Sequence, residues 1–298
     1  MRFSFRLASV LLVCAGGLCF QAALGASSAL KEIRFAADRG EWDKGRNWNG
    51  GRVPAGANQA AMARSPAVIT LSSAVPEVFS AGFGGEGKGA TLYIEDGALL
   101  KMKSNLSVGI NMDNTKGICY MRGGEIEVGT GFPGFSAVGI GCSATNSGSV
   151  GEMTVSGGIV RGGIVVGSHL PNTGVGVLAI EGSAAKLVGK PTDKGNFQIQ
   201  ASGTVNFILD GEGVSAFDCG RTVVFHPGSA LTVDASRYEG RTRKTIPLVT
   251  TPRLEDNGVR TRVVAAPPGM RAEIVVEDFR SKQREQGVFL RLIPSGNK

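Results

Sequence analysis

The stretch Leu92-Tyr93-Ile94-Glu95-Asp96-Gly97 returns four times along the chain: as Cys119-Tyr120-Met121-Arg122-Gly123-Gly124, Met153-Thr154-Val155-Ser156-Gly157-Gly158, Leu178-Ala179-Ile180-Glu181-Gly182-Ser183 and Phe207-Ile208-Leu209-Asp210-Gly211-Glu212. The starts lie 27, 34, 25 and 29 residues apart. In every copy the first and third positions are apolar, and the fourth is Glu95, Arg122, Ser156, Glu181 or, with a shift of one residue, Asp210. Alternation of period two marks a strand with one buried face. The glycine that follows ends the strand in a turn. A spacing that varies within narrow limits is what a fixed strand produces when the loops after it tolerate insertions.

A second element follows the first in the early copies: Val108-Gly109-Ile110, Val138-Gly139-Ile140 and Val165-Val166-Gly167, with Gln198-Ile199-Gln200 as a degraded fourth. Between the two lies a shorter, variable strand. Three short strands per unit match one coil of a single-stranded, right-handed parallel β-helix, in which each coil buries its inward side chains on the coils above and below. The reading is therefore all-β, with Ile94, Met121, Val155, Ile180 and Leu209 in one interior ladder. The alternative is a β-sandwich, which also uses many short strands. A sandwich has no reason to repeat one motif in register five times.

Composition agrees with short stacked strands. The 298 residues include 45 Gly but only 14 Phe, 3 Tyr and 2 Trp, which suits a core of small and aliphatic side chains broken by tight turns. Along the chain the expected divisions are a signal peptide at 1–25, an N-terminal cap and entry segment at 26–86, β-helix repeats at 87–235 and a β-rich closing segment at 236–298. Arg2 and Arg6 give the signal its positive start, residues 7–20 its apolar stretch, and Ala23-Leu24-Gly25 the small residues of a cleavage site. Neither Cys14 nor Cys19 follows a lipoprotein motif, and no later segment is long and apolar enough to span a bilayer as a helix. Cleavage would leave Cys119, Cys142 and Cys219, an odd number that argues against a full disulfide framework. Cys119 and Cys142 are expected to be reduced, inward-facing apolar residues.

The repeats resemble the glycine-rich β-helix repeats of exported proteins of planctomycete, verrucomicrobial and autotransporter-associated type. The stretch Trp42-Asp43-Lys44-Gly45-Arg46-Asn47-Trp48-Asn49-Gly50-Gly51-Arg52-Val53-Pro54, followed by Val68-Ile69-Thr70-Leu71, looks like the entry segment of such proteins. Gly228-Ser229-Ala230-Leu231-Thr232-Val233-Asp234 with Ile246-Pro247-Leu248-Val249 looks like their closing coil. The likeness covers most of residues 40–250 and its motifs are structural. The chain departs from the pattern at Leu292-Ile293-Pro294-Ser295-Gly296-Asn297-Lys298, where many such proteins carry a hydrophobic, arginine-ended sorting tail. Secretion, the periplasm and the cell surface all stay open as destinations.

Residues with chemistry are sparse. His169 and His226 stand in different repeats without carboxylate or cysteine partners at ligand spacing, so no catalytic residue, metal site or cofactor is expected. Glu181 and Asp210 could lie on neighbouring coils about 5 Å apart, the ladder spacing, where they would share a calcium ion or contact a sugar. An ordinary charged outer face explains them as well, since Glu95 would stack beside Arg122 and Ser156 interrupts the column. Tyr93 and Tyr120 occupy equivalent outward positions, either as an aromatic platform for carbohydrate or as plain surface packing. Trp42 and Trp48 precede the first coil, the place of a cap over an exposed core end. The net charge of +7 would fall to about +5 on loss of Arg2 and Arg6. Its excess gathers after Tyr238, at Arg241, Arg243, Lys244, Arg253, Arg260, Arg262 and Arg271, as a patch for a polyanion or as a solvated face. The expectation is an exported, non-enzymatic structural or adhesive module. The alternative is a β-helix that binds or cleaves polysaccharide; a polysaccharide or other cell-surface component is the expected partner, and nucleic acid is not.

Overall fold

The computed structural model describes residues 30–87, 89–109, 114–129, 137–142, 148–168, 173–189, 197–277 and 286–295. Among them the regular structure is strand except for a 3-10 turn at Gly45–Asn47, and the strands wind into a parallel β-solenoid of about 8 turns. The first ladder holds Arg39–Glu41, Ala67–Leu71, Ala90–Ile94, Thr115–Met121, Ser149–Val155, Gly174–Glu181, Gly203–Ile208, Ala230–Asp234 and Arg260–Ala265. Each pairs in parallel with the next. A second ladder runs from Leu99–Met102 through Glu125–Val128, Gly158–Arg161, Ala185–Val188 and Phe217–Asp218 to Lys244–Thr251. The third runs from Lys31–Arg34 through Gly56–Ala63, Val78–Phe83, Leu106–Val108, Ala137–Ile140, Gly163–Val166, Phe197–Ile199 and Thr222–Phe225 to Arg253–Asp256. Partners a whole coil apart in sequence and parallel in direction exclude the sandwich, whose neighbours run antiparallel.

Inside the first ladder, like stacks on like. Ile69, Leu92, Cys119, Met153, Leu178, Val205 and Leu231 form one interior column; Leu71, Ile94, Met121, Val155, Ile180, Phe207 and Val233 form another. All are buried. Phe207, not Leu209, takes the fifth place of the ladder read from the sequence. The fifth copy slides by two residues because its turn is longer: Asp210 N–H donates to Gly213 O at 2.8 Å, and its carboxylate accepts from the N–H groups of Glu212 and Gly213. Leu209 is buried just beyond the strand.

The second shared element also needs realignment. Val108 pairs with Ile140, and Ile140 with Val166, so Gly109, Gly141 and Gly167 are the equivalent glycines. Ile110 lies outside the described residues. These glycines sit at φ +78°, +63° and +80° and turn the chain from the third ladder back into the first. Each packs on a partner glycine in the next strand. A Cβ at Gly117, Gly151 or Gly176 would meet the nitrogen of Gly109, Gly141 or Gly167 at 2.1, 2.1 and 2.2 Å. The corner is a backbone-on-backbone contact that no larger residue allows without displacement.

The same corner reverses the facing of Cys142. Gly139 stands outward between Val138 and Ile140, and a Cβ built on it would lie 3.4 Å from the Cys142 sulfur. The left-handed turn at Gly141 folds Cys142 back over the outer surface, where the residue is partly exposed, so it does not continue the inward alternation. Cys119 is inward as expected, and burial pushes its thiol up to about 12. No disulfide joins Cys119, Cys142 and Cys219 to one another.

One apolar cluster runs the length of the solenoid. At the N-terminal end Trp42 and Trp48 are buried, 4.9 Å apart and edge-on, with Phe35 and Phe83 against them. Trp48 Nε1 donates to Trp42 O at 2.7 Å. At the other end Lys244–Thr251 pairs antiparallel with Gln286–Pro294, which pairs antiparallel with Met270–Glu277. The solenoid ladders thus continue through Lys244–Thr251, Arg253–Asp256 and Arg260–Ala265, and only Met270–Glu277 and Gln286–Pro294 form a hairpin grafted on the second ladder.

Candidate functional site

Side chains that alternate away from the core pattern the outer face of the first ladder. One outward column reads Glu41, Thr70, Tyr93, Tyr120, Thr154, Ala179, Asn206, Thr232 and Arg262. The column beside it reads Arg39, Val68, Thr91, Ile118, Glu152, Val177, Thr204, Ala230 and Arg260. Two tyrosines therefore stand on adjacent rungs with short side chains on both sides. Their rings stack, with centroids 5.3 Å apart and planes 18° from parallel. The Arg122 guanidinium lies over the Tyr93 ring, 4.9 Å from its centroid, and is held there by Glu95 Oε1 at 3.1 Å.

A shallow notch of about 380 Å³ opens on the N-terminal side of this pair, lined by Arg39, Val68, Thr70, Tyr93, Glu95 and Arg122. Its floor is the rung of Val68 and Thr70, lower than the arginine rung on one side and the tyrosine rung on the other. Arg39 is exposed and has no hydrogen-bond or ion-pair partner among the described residues. Glu41 on the same rung is engaged by Lys44 at 3.3 Å. Sequence reasoning missed Arg39, because its three-residue strand Arg39–Glu41 carries too little of the repeat to be aligned without its pairing to Ala67–Leu71.

Elsewhere on the surface, charges pair from rung to rung: Lys116 with Glu152 at 3.0 Å, Lys101 with Glu127 at 3.3 Å and Arg161 with Glu125 at 2.7 Å. Glu181 and Asp210 are not brought together as a carboxylate pair. The register sets Glu181 beside Ile208, and Asp210 lies two residues further on, in the turn. Its carboxylate accepts from Ser183 N at 2.8 Å, Ser183 Oγ at 3.0 Å, Glu212 N at 2.9 Å and Gly213 N at 2.8 Å. Slight burial raises its affinity for a proton, but these donors outweigh that and hold it below the usual carboxylate range. Asp210 is a turn-forming residue whose lone pairs are already engaged. Among the described residues no group of three or more His, Cys, Asp or Glu side chains is placed to hold a metal ion; His169 lies outside them.

The basic residues of the closing segment are spread over several local contacts. Arg241 donates to Pro268 O at 2.5 Å, Arg260 to Gly228 O at 2.8 Å, and Arg253 pairs with Glu255 at 2.7 Å. Lys244 lies 5.3 Å from the Tyr238 ring centroid. A second shallow cavity of about 300 Å³ touches Arg243, Lys244, Glu273 and Arg291, and Arg291 is shared between Glu273 and Glu277 at 3.6 Å each. Comparison with known protein families, curated proteins and solved structures finds no match to this chain.

Proposed function

We propose that the chain is an exported, non-enzymatic β-helix module that works as a structural or adhesive element of the cell envelope or extracellular space, of the type its glycine-rich repeats resemble. The observation that carries this reading is the rung-to-rung pairing of outer charges. Glu125–Arg161 and Lys101–Glu127 on the second ladder, and Lys116–Glu152 and Glu95–Arg122 on and beside the first, neutralise one another within each pair, and Asp210 serves its own turn. Catalysis on such a face would need acids or bases poised toward a shared cleft, with partners left for substrate. Export rests on Arg2, Arg6, the apolar stretch 7–20 and Ala23-Leu24-Gly25, all outside the described residues.

The test has two readouts. Expressed with its own N-terminus in a secreting host, the chain is expected outside the cytoplasm, beginning at Ala26. Incubated with acidic and neutral polysaccharides, it is expected to leave their chain length unchanged. An uncleaved cytoplasmic product overturns export; depolymerisation that is lost in Glu95→Gln overturns the non-enzymatic assignment.

A further inference from the structure

We propose that the notch on the N-terminal side of the Tyr93–Tyr120 pair binds uronate units of an acidic polysaccharide, which gives the adhesive reading above, on which it rests, a ligand class. Strands of a ladder are about 4.8 Å apart, so the low rung of Val68 and Thr70 leaves a slot roughly 10 Å wide between Arg39 and Tyr93. That width admits one flat ring between Arg39 and the wall of Arg122 and Tyr93. The Arg122 guanidinium, held by Glu95, lies over the Tyr93 ring, so the C–H face of a pyranose packs on a guanidinium plane backed by the phenol.

The charge of the ligand follows from the groups around the slot. Glu41 and Glu95 each have a cation of their own, whereas Arg39 has none among the described residues. A carboxylate on the stacked sugar supplies the missing partner with a fork of donors suited to it. The net positive charge, +7 for the full sequence and about +5 after loss of Arg2 and Arg6, draws a polyanion toward the whole molecule at low salt.

Calorimetric titration of the full chain with a galacturonate hexamer, and with the same oligomer fully methyl-esterified, tests the assignment. Binding of the acid form is expected, with little or none for the ester. Arg39→Gln and Tyr93→Ala are each expected to weaken it about tenfold or more, the worth of one charge-assisted hydrogen bond or one well-packed ring. Arg262→Gln, on the last rung of the same face, is expected to leave it unchanged. Arg39 is exposed, so its variant keeps the fold even if Tyr93→Ala disturbs the stack, and a melting curve on each verifies this. Equal affinity for acid and ester, loss of binding in Arg262→Gln in place of Arg39→Gln, or no binding by the unaltered chain overturns the site. If the oligomer is neither bound nor shortened, the notch alone is wrong. If it is shortened, the non-enzymatic reading fails with it.

Discussion

Trp42 and Trp48 seal the N-terminal end of the solenoid with two buried indoles, whereas the C-terminal end is covered by the hairpin of Met270–Glu277 and Gln286–Pro294, which adds its own strands to the second ladder. Both ends face one problem. A terminal coil has no neighbour on one side, so its inward side chains and its edge amides would meet water. The N-terminal solution places aromatic bulk over the core and leaves only the three-residue strand Arg39–Glu41 at the edge of the first ladder. The C-terminal solution pairs one ladder but leaves another open: among the described residues nothing pairs with the outer edge of Arg260–Ala265, where Val264 is 54% exposed. Arg260 and Arg262 sit on that edge, the kind of charge that discourages a second strand from docking. A plug thus closes an end with side chains, and a hairpin closes it with backbone at the cost of a remaining edge.

The comparison breaks most completely if the core between the two ends is cut. Val155→Asp sets an unpaired carboxylate between Met121 and Ile180, and is expected to cost roughly 4 kcal/mol or more. Thr154→Asp, outward on the same strand, is expected to cost about 1 kcal/mol or less. Chemical denaturation of the two variants checks this. Equal losses would mean that strand propensity, not the shared core, governs the fold, and the ends would then have to be independent.

The next largest effect is expected at the aromatic plug. Trp48→Ala removes the contacts to Phe35 and Trp42 and the hydrogen bond to Trp42 O, for an expected loss of roughly 3–5 kcal/mol. Hydrogen exchange should rise first in the coil around Ile69 and Leu71 and leave the C-terminal hairpin protected. Exchange that rises first in the hairpin would show that it is the weaker closure.

Acid should distinguish the ends as well. Glu32, in the first strand of the third ladder, is hydrogen-bonded by Arg64 and Arg34 at 2.7 and 2.6 Å. Chiefly through Arg64, and against an opposing effect of burial, its carboxyl is held at about 2. A carboxyl depressed on folding stabilises the fold above its unfolded pKa, near 4.5, and that contribution is lost as pH falls toward 2. The pair is partly exposed, so about 1 kcal/mol is at stake. Melting temperature followed between pH 5 and about 2 should fall less steeply in Glu32→Gln than in the parent; parallel curves would refute the assignment.

Smallest in stability is the guarded edge. The double substitution Arg260→Val, Arg262→Val is expected to change stability by about 0.5 kcal/mol or less while promoting self-association. Sedimentation velocity at several concentrations reads this directly. A double variant that stays as dispersed as the parent would mean that the hairpin alone protects that end.

The candidate site divides along the same line between near and far neighbours. Tyr93 and Tyr120 were legible as stacked partners because they occupy one position of one motif, and the ladder carries equal positions onto each other. Glu181 and Asp210 were read as neighbours by the same logic, and the logic fails there because the fifth turn is longer. Cys142 faces outward because a single left-handed glycine interrupts the alternation on which its inward placement rested. Arg39 stands in a coil whose motif is too short to be recognised alone, and its place in the notch emerges only from the pairing of its strand.

By itself the sequence determined that this protein is a parallel β-solenoid with a largely aliphatic core, and which positions of its first strand face inward. Alternation is local, and recurrence in register demands stacked, equivalent rungs. The tertiary structure alone decided how far each rung slides against the next and how the ends close. Val165 for Val166 is a slip of one residue, whereas Leu209 for Phe207 and Val138 for Ile140 are slips of two. In a strand of period two, a slip of two leaves every side chain on its proper face. Burial cannot detect it; only the hydrogen bonds between coils, fixed by the length of each turn, choose the register.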